Sequence, residues 1–166
     1  AAVMPGVVAL NALNYADDYY WYLTVAPLIA LSFVVLLALE MVVIKWLLLG
    51  RVKPGRYPLR SGFYLRKWFV DQLLYLSLDL LGPLYASIYL APWYRLMGAR
   101  LGRNAEVSTA SFISPDLLEL GDETFIADSV SLGAARIERG HFTIGINRVG
   151  QRGFVGNSAM LPPGAA

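Results

Sequence analysis

The chain contains no cysteine and a single histidine among its 166 residues, and only 16% of them are charged. Without cysteine there is no disulfide, no zinc–thiolate site and no cysteine nucleophile. No glycine-rich phosphate-binding loop is present, and no serine sits in a nucleophile-elbow context. Acidic residues are missing altogether between Glu40 and Asp71. The net charge of +2 is too small to point to nucleic acid. The first residues carry no initiator methionine and no basic stretch before a cleavage site, so they do not form a signal peptide. They are already apolar ("AAVMPGVVALNAL"), and the last residues stop inside a repeat, which leads us to expect an internal piece of a longer protein.

What is abundant is apolar surface. Apolar residues make up 57% of the chain, against about 45–50% in soluble domains. They concentrate between Trp21 and Tyr94, whereas from Gly98 onward the chain is a mixture of Gly, Ser, Ala, Asp and Arg. We therefore divide it into a membrane-associated helical region, 1–97, and a second domain, 98–166. Tyr22 to Leu49 is long enough for a spanning helix, which needs about 20 apolar residues. Tyr15, Tyr19, Tyr20, Trp21 and Tyr22 at one end and Trp46 at the other match aromatic belts at the two interfaces. Lys45 is expected to snorkel, and Glu40 to pair with it or face a partner helix.

A basic loop, 50–67, follows, with Arg51, Lys53, Arg56, Arg60, Arg66 and Lys67. Such a cluster beside a span prefers the cytoplasm. The stretch 68–97 carries Asp71 and Asp79 and is divided by Gly82-Pro83. It fits either a kinked spanning helix or a hairpin lying in one leaflet. Positive residues on both flanks favour the hairpin, which keeps the second domain cytoplasmic at the cell membrane. Asp71 and Asp79 are expected to pair with Arg66, Lys67 or Arg95, or to face a conduit for product.

From Leu101 the aliphatic residues fall into a six-residue period. Leu101, Val107 and Ile113 form one triplet, Leu120, Ile126 and Leu132 a second, and Val149, Val155 and Leu161 a third. A small or β-branched residue follows four positions later in most units, as at Ala105, Thr124, Val130 and Gly153. This beat predicts a parallel β-helix of hexapeptide repeats, with the aliphatic residues stacked inside and small residues easing the corners. Its three coils would span 101–118, 120–137 and 149–166. Residues 138–148 ("ERGHFTIGINR") break the beat and are expected to leave the prism as a loop or extra turn.

Hexapeptide β-helices of this kind resemble the left-handed β-helix acyltransferase superfamily. More narrowly, "YPLRSGFYLRKWFVDQLL", "YRLMGARLGRNAEVST", "PDLLELGDETFIADSVSLG" and "VGQRGFVGNSAMLPPG" are similar to the membrane-embedded terminal region of poly-lysine-synthetase-like non-ribosomal peptide synthetases. The resemblance covers most of residues 57–166. It implies a left-handed coil and a domain that moves an acyl or aminoacyl group from a thioester onto an amine. The donor would be a carrier-protein phosphopantetheine or an acyl-CoA, with no cofactor bound in this chain. Partners would be membrane lipids and the carrier and adenylation domains of the parent protein. Assembly as a homo-oligomer, a trimer in many such folds, is a further expectation. A non-catalytic scaffold or export module is the alternative reading.

His141 lies in the stretch that breaks the beat, where an imidazole titrating near neutrality suits a general base. A solvent-facing loop histidine is its plainer reading, and the base could equally lie in coils beyond residue 166. Asp116, Asp122 and Asp128 recur at six-residue intervals. That places them on adjacent faces, so they form no metal cluster; they read as corner residues bonding the backbone or as an acidic rim for a cationic substrate. Asn157 reads as a left-handed corner residue, or as an amide holding the donor arm between coils.

Overall fold

A computed structural model describes residues 1–13, 19–85 and 87–165. Tyr15 and Ala166 lie outside the described residues, as do the side chains of Tyr19 to Tyr22 that belong to the expected aromatic belt.

Helix α1 covers Met4–Leu13 and α2 covers Tyr19–Leu49. Leu, Val and Ile dominate α2, with Glu40 and Lys45 as its charged residues, and the chain from Val25 to Leu49 is long and apolar enough to cross a membrane. Leu28, Leu31, Val35, Leu39, Val43 and Leu47 stay exposed rather than covered by protein. The helix stops where Gly50 takes the left-handed conformation (φ 56°) and bonds back to the Trp46 carbonyl.

The next segment departs from the expected loop. It holds a short strand, β1 (Gly55–Pro58), and then helix α3 (Gly62–Leu80), which begins at Gly62 rather than at Trp68. Ser61 is the reason: extended at φ −121°, its hydroxyl accepts from the Tyr64 N–H and caps the first turn. Gly82-Pro83 ends α3, and the seven-residue α4 (Leu90–Leu96) leads back toward the strands. The Trp93 indole donates to the Ala38 carbonyl (2.9 Å) and the Trp46 indole to the Leu96 carbonyl (2.8 Å), so α4 is tied across α2.

Beyond α4 the chain makes three successive passes of very short strands. The first pass contributes β2 (Arg100–Leu101), β3 (Glu106–Val107) and β4 (Ala110–Ser111). The second contributes β5 (Leu118–Leu120), β6 (Phe125–Ile126) and β7 (Val130–Leu132). After a hairpin, β8 (Arg136–Glu138) and β9 (His141–Ile144), the third supplies β10 (Asn147–Val149), β11 (Phe154–Val155) and β12 (Met160–Leu161). Like strands pair in parallel into three three-stranded sheets, ordered β10-β5-β2, β11-β6-β3 and β12-β7-β4. Leu120 stands opposite Val149, Ile126 opposite Val155 and Leu132 opposite Leu161.

Two details differ from the sequence reading. Val107 is opposite Ile126 but Ala110 is opposite Val130, so the first pass is one residue shorter between its second and third strands. Ile113 therefore does not stack on Leu132; the next pair is Ser111 with Ser131. The corners also work differently. Their left-handed residues are Asn104, Glu123 and Arg152 at one corner and Ser129 and Ser158 at another, with φ between 54° and 59°. Each is followed by the small residue of the repeat, and of these Ala105, Thr124 and Val130 are buried. The small side chain fits the interior; its predecessor makes the turn. At Asn157 the left-handed conformation falls one residue later, on Ser158.

The hairpin overlaps the stretch 138–148 that breaks the six-residue beat but is displaced from it: it starts at Arg136, inside the expected second coil, and Asn147 and Arg148 already belong to β10. Arg139 and Gly140, both with positive φ (47° and 76°), form its two-residue turn. Strand β9 pairs antiparallel with β8 on one side and with β1 on the other, Pro58 facing His141. Phe142 is buried against Tyr57, Phe63 and Tyr64, so this sheet fastens the hairpin to the start of α3. One core runs from Met41 and Trp93 through Tyr94 and Met97 into Ile126, Val130 and Leu132, and a second, smaller one gathers Val52, Leu117, Phe142 and Ile144. Helices and sheets are thus packed as one body.

Candidate functional site

A cleft of about 450 Å³ lies where α3 passes the β4-β7 side of the sheets. Its helical wall carries Tyr64, Lys67, Trp68, Asp71, Gln72 and Tyr75. Its other walls come from residues 110–114, from Gly133 to Ala135, and from Ile137, Phe142 and Ile144 of the hairpin. The apolar stripe of α3 thus supplies depth, and the charged pair Lys67–Asp71, one helical turn apart, supplies polarity. Of the three basic partners the sequence offers Asp71, it takes Lys67. The Lys67 side chain is nearly covered while the Asp71 carboxylate is 38% exposed, so Asp71 is the carboxylate that an incoming group meets. Below it the Ser77 and Tyr85 hydroxyls share a buried hydrogen bond of 2.7 Å. Phe112 stands at the mouth, largely exposed and with φ at 57°, a conformation that bulky side chains rarely take.

The residues singled out by sequence do not converge on this cleft. His141 sits in the middle strand of the antiparallel sheet, its Nδ1 3.1 Å from the Arg139 carbonyl, and it is not among the cleft-lining residues. Asn157 accepts from the Asp128 N–H (3.2 Å), which ties one corner to the next. Asp128 in turn accepts from the Ser108 and Thr109 hydroxyls, which hold its carboxyl below the usual range. Asp122 accepts from the Arg103 N–H (2.7 Å), the corner role expected of it. Among the described residues no three of His, Cys, Asp and Glu gather as metal ligands.

Asp116 corrects its expectation of a corner or an acidic rim. Its side chain is 1% exposed and its two oxygens lie 2.9 and 2.8 Å from Lys45 Nζ, itself 2% exposed. The Val52 N–H donates to the same carboxylate (3.1 Å), and a side chain at Gly98 would collide with it. Lys45 also lies over the Trp46 ring, 3.7 Å from its centroid. Lys45 therefore does not snorkel, and Glu40, rather than pairing with it, accepts from the Ala2 N–H (3.3 Å). Two charges 71 residues apart join α2 to the turn Pro115–Leu117 that leads into β5. No substrate reaches Asp116 without breaking that junction.

Sequence spacing reveals Lys67–Asp71, since residues four apart share a helix face. It carries no sign of the Lys45–Asp116 contact or of the cleft walls at 110–114 and 133–135.

No family model matches the chain, and no solved structure matches it. Among curated proteins it is similar to Delta-poly-L-ornithine synthetase of Acinetobacter baumannii (strain AB307-0294), 38% identical over 158 residues. The match takes in 95% of this chain but 12% of the relative, so the chain corresponds to a small part of that protein's length.

Proposed function

We propose that this chain is a membrane-bound acyl- or aminoacyl-transfer module of a non-ribosomal-peptide-synthetase-like protein. It would move a thioester-borne group onto an amine. The observation that carries this reading is the 38% identity to Delta-poly-L-ornithine synthetase, which extends over 95% of the chain and so through helices and strands alike. Synthesis of a delta-linked polyornithine needs an amide closed onto a side-chain amine.

In this reading the three parallel sheets are the faces of a left-handed β-helix, α2 crosses the cell membrane, and the strands lie on the cytoplasmic side. The donor would arrive as a carrier-bound phosphopantetheine or an acyl-CoA thioester, loaded by adenylation and carrier domains. Transfer takes place in the cleft. The acceptor ammonium meets the Asp71 carboxylate, loses a proton to it and attacks the thioester carbonyl. A C–N bond forms, the C–S bond breaks, and the thiolate leaves to take up a proton. Lys67 keeps Asp71 in place, and the apolar walls exclude the water that would hydrolyse the donor. His141, the base expected from sequence, is the competing candidate.

A scaffold role is the second reading, favoured by the outer edge of the third pass. There Phe154 and Met160 are 70% and 77% exposed, a surface on which a further pass or another copy, as in a trimer, would stack.

The test uses the full-length protein carrying this chain, purified in detergent, with a labelled aminoacyl-carrier thioester and free diamino acid. Asp71→Asn should lower product formation roughly a hundredfold or more, a loss that persists when assayed well below the variant's own unfolding temperature, which falls because Lys67 loses its charge partner. A comparable loss in His141→Ala instead would move the base to His141. No product from wild type would favour the scaffold.

A further inference from the structure

Among the described residues, five of the six exposed arginines after Gly98 have carboxylate partners: Arg100 and Arg148 share Glu119, Arg103 meets Asp122, Arg136 meets Glu138 and Arg152 meets Glu123, while Arg139 at the hairpin turn has none. Five cations at the end of α2 are different. Arg51, Lys53, Arg56, Arg60 and Arg66 are all exposed. Among the described residues none of them pairs with a carboxylate, and the sequence from Glu40 to Asp71 contains none to offer. Nor do they belong to a loose tail. Gly50 turns the chain off the end of α2, the β1–β9 register fixes Arg56 opposite Thr143, and Arg66 is held on α3 with its Nε donating to the Gly62 carbonyl (3.2 Å).

Large apolar side chains flank the group. Trp46 and Leu47 stand exposed at the end of α2, and Leu65, Trp68 and Phe69 on the first turns of α3. A polyanion in water would gain nothing from that flank. A phospholipid gains on both counts, its phosphodiester taking the guanidinium forks and its upper chain and glycerol meeting indole and phenyl faces.

We infer that Arg51, Lys53, Arg56, Arg60 and Arg66 form a binding collar for anionic phospholipid headgroups, anchored by the exposed aromatic residues beside it. The collar goes beyond the transfer reading and does not depend on it. Each cation near the surface should contribute roughly fivefold to preference for an anionic over a zwitterionic lipid.

The full-length protein would be placed in nanodiscs of mixed phosphatidylglycerol and phosphatidylcholine. The lipids it retains after mild detergent extraction would then be quantified by mass spectrometry. Wild type should retain phosphatidylglycerol well above its bulk share. Changing all five cations to Gln should bring the ratio back to bulk, whereas the four arginines changed to Lys should keep most of the enrichment. If the five-fold variant does not fold, Arg60→Gln and Arg66→Gln singly should each lower the enrichment by roughly fivefold. Bulk composition around wild type, or unchanged enrichment in the Gln variants, would overturn the collar. Displacement of the lipid by inorganic phosphate at matched ionic strength would also overturn it, in favour of a free-phosphate site.

Discussion

The two halves of the molecule use the same aliphatic residues in opposite ways. In α2, Leu28, Leu31 and Leu47 are more than half exposed, while in the sheets Ile126, Val130 and Leu132 are almost completely enclosed. The charges are reversed as well. On the strands Arg100 and Arg148 flank Glu119 at the surface, whereas the ion pair at the end of α2, Lys45–Asp116, is sealed from solvent. A helix whose apolar side chains face outward is arranged for a medium that does not penalise them. Strands whose apolar side chains face inward are arranged for water. The outward apolar face of α2 suits the membrane span proposed for it, and the buried pair joins that helix to the strands.

Breaking the junction should have the largest effect. Asp116→Ala leaves Lys45 buried and unpaired and should cost about 3–5 kcal/mol of stability, while the double change Lys45→Met with Asp116→Leu should cost far less. Thermal unfolding of the three variants in one detergent decides it: a single change as mild as the double one would mean that the pair does not hold the halves together. Next comes the contrast of cores. Ile126→Ala should cost about 2–5 kcal/mol because it empties a site enclosed on every side. Leu31→Ala should stay within about 1 kcal/mol, since that side chain is not buried in protein. Equal losses at the two positions would remove the distinction drawn between the halves.

The smallest effect concerns the surface charges. The hydrogen bond from Arg148, reinforced by the charge of Arg148 and Arg100, holds the Glu119 carboxyl below its ordinary range. A carboxyl lowered by folding stabilises the fold above the ordinary carboxylate range and loses that contribution as pH falls through its lowered value. The contribution is at most about 1 kcal/mol because the ladder is solvent-exposed and screened. Glu119→Gln should flatten the low-pH part of the stability profile slightly at low salt and not at all in high salt. An unchanged profile at low salt would show that the ladder contributes nothing.

Periodicity explains how much could be read in advance. The six-residue beat placed Leu120, Ile126 and Leu132 opposite Val149, Val155 and Leu161, because equal spacing along a repeating backbone puts side chains in register. The same beat failed at Ile113, where the first pass is a residue short. It also assigned the turning role to the small residues when Glu123 and Arg152 take the left-handed conformation. A six-residue average cannot see a one-residue deletion, nor which of two neighbours turns.

By itself the sequence determined the apolar length of α2, the concentration of cations after it, the inward aliphatic positions and the region in which the chain leaves the beat. These depend on composition and spacing, which local geometry converts directly into faces. Only the tertiary structure decided that 136–144 is a hairpin, that it pairs with a strand inside the basic loop, and that α3 and the strands enclose a cleft around Asp71. It alone brought Lys45 to Asp116 across 71 residues. Contacts of that range depend on how whole elements pack, and no local period encodes the partner a buried charge will find.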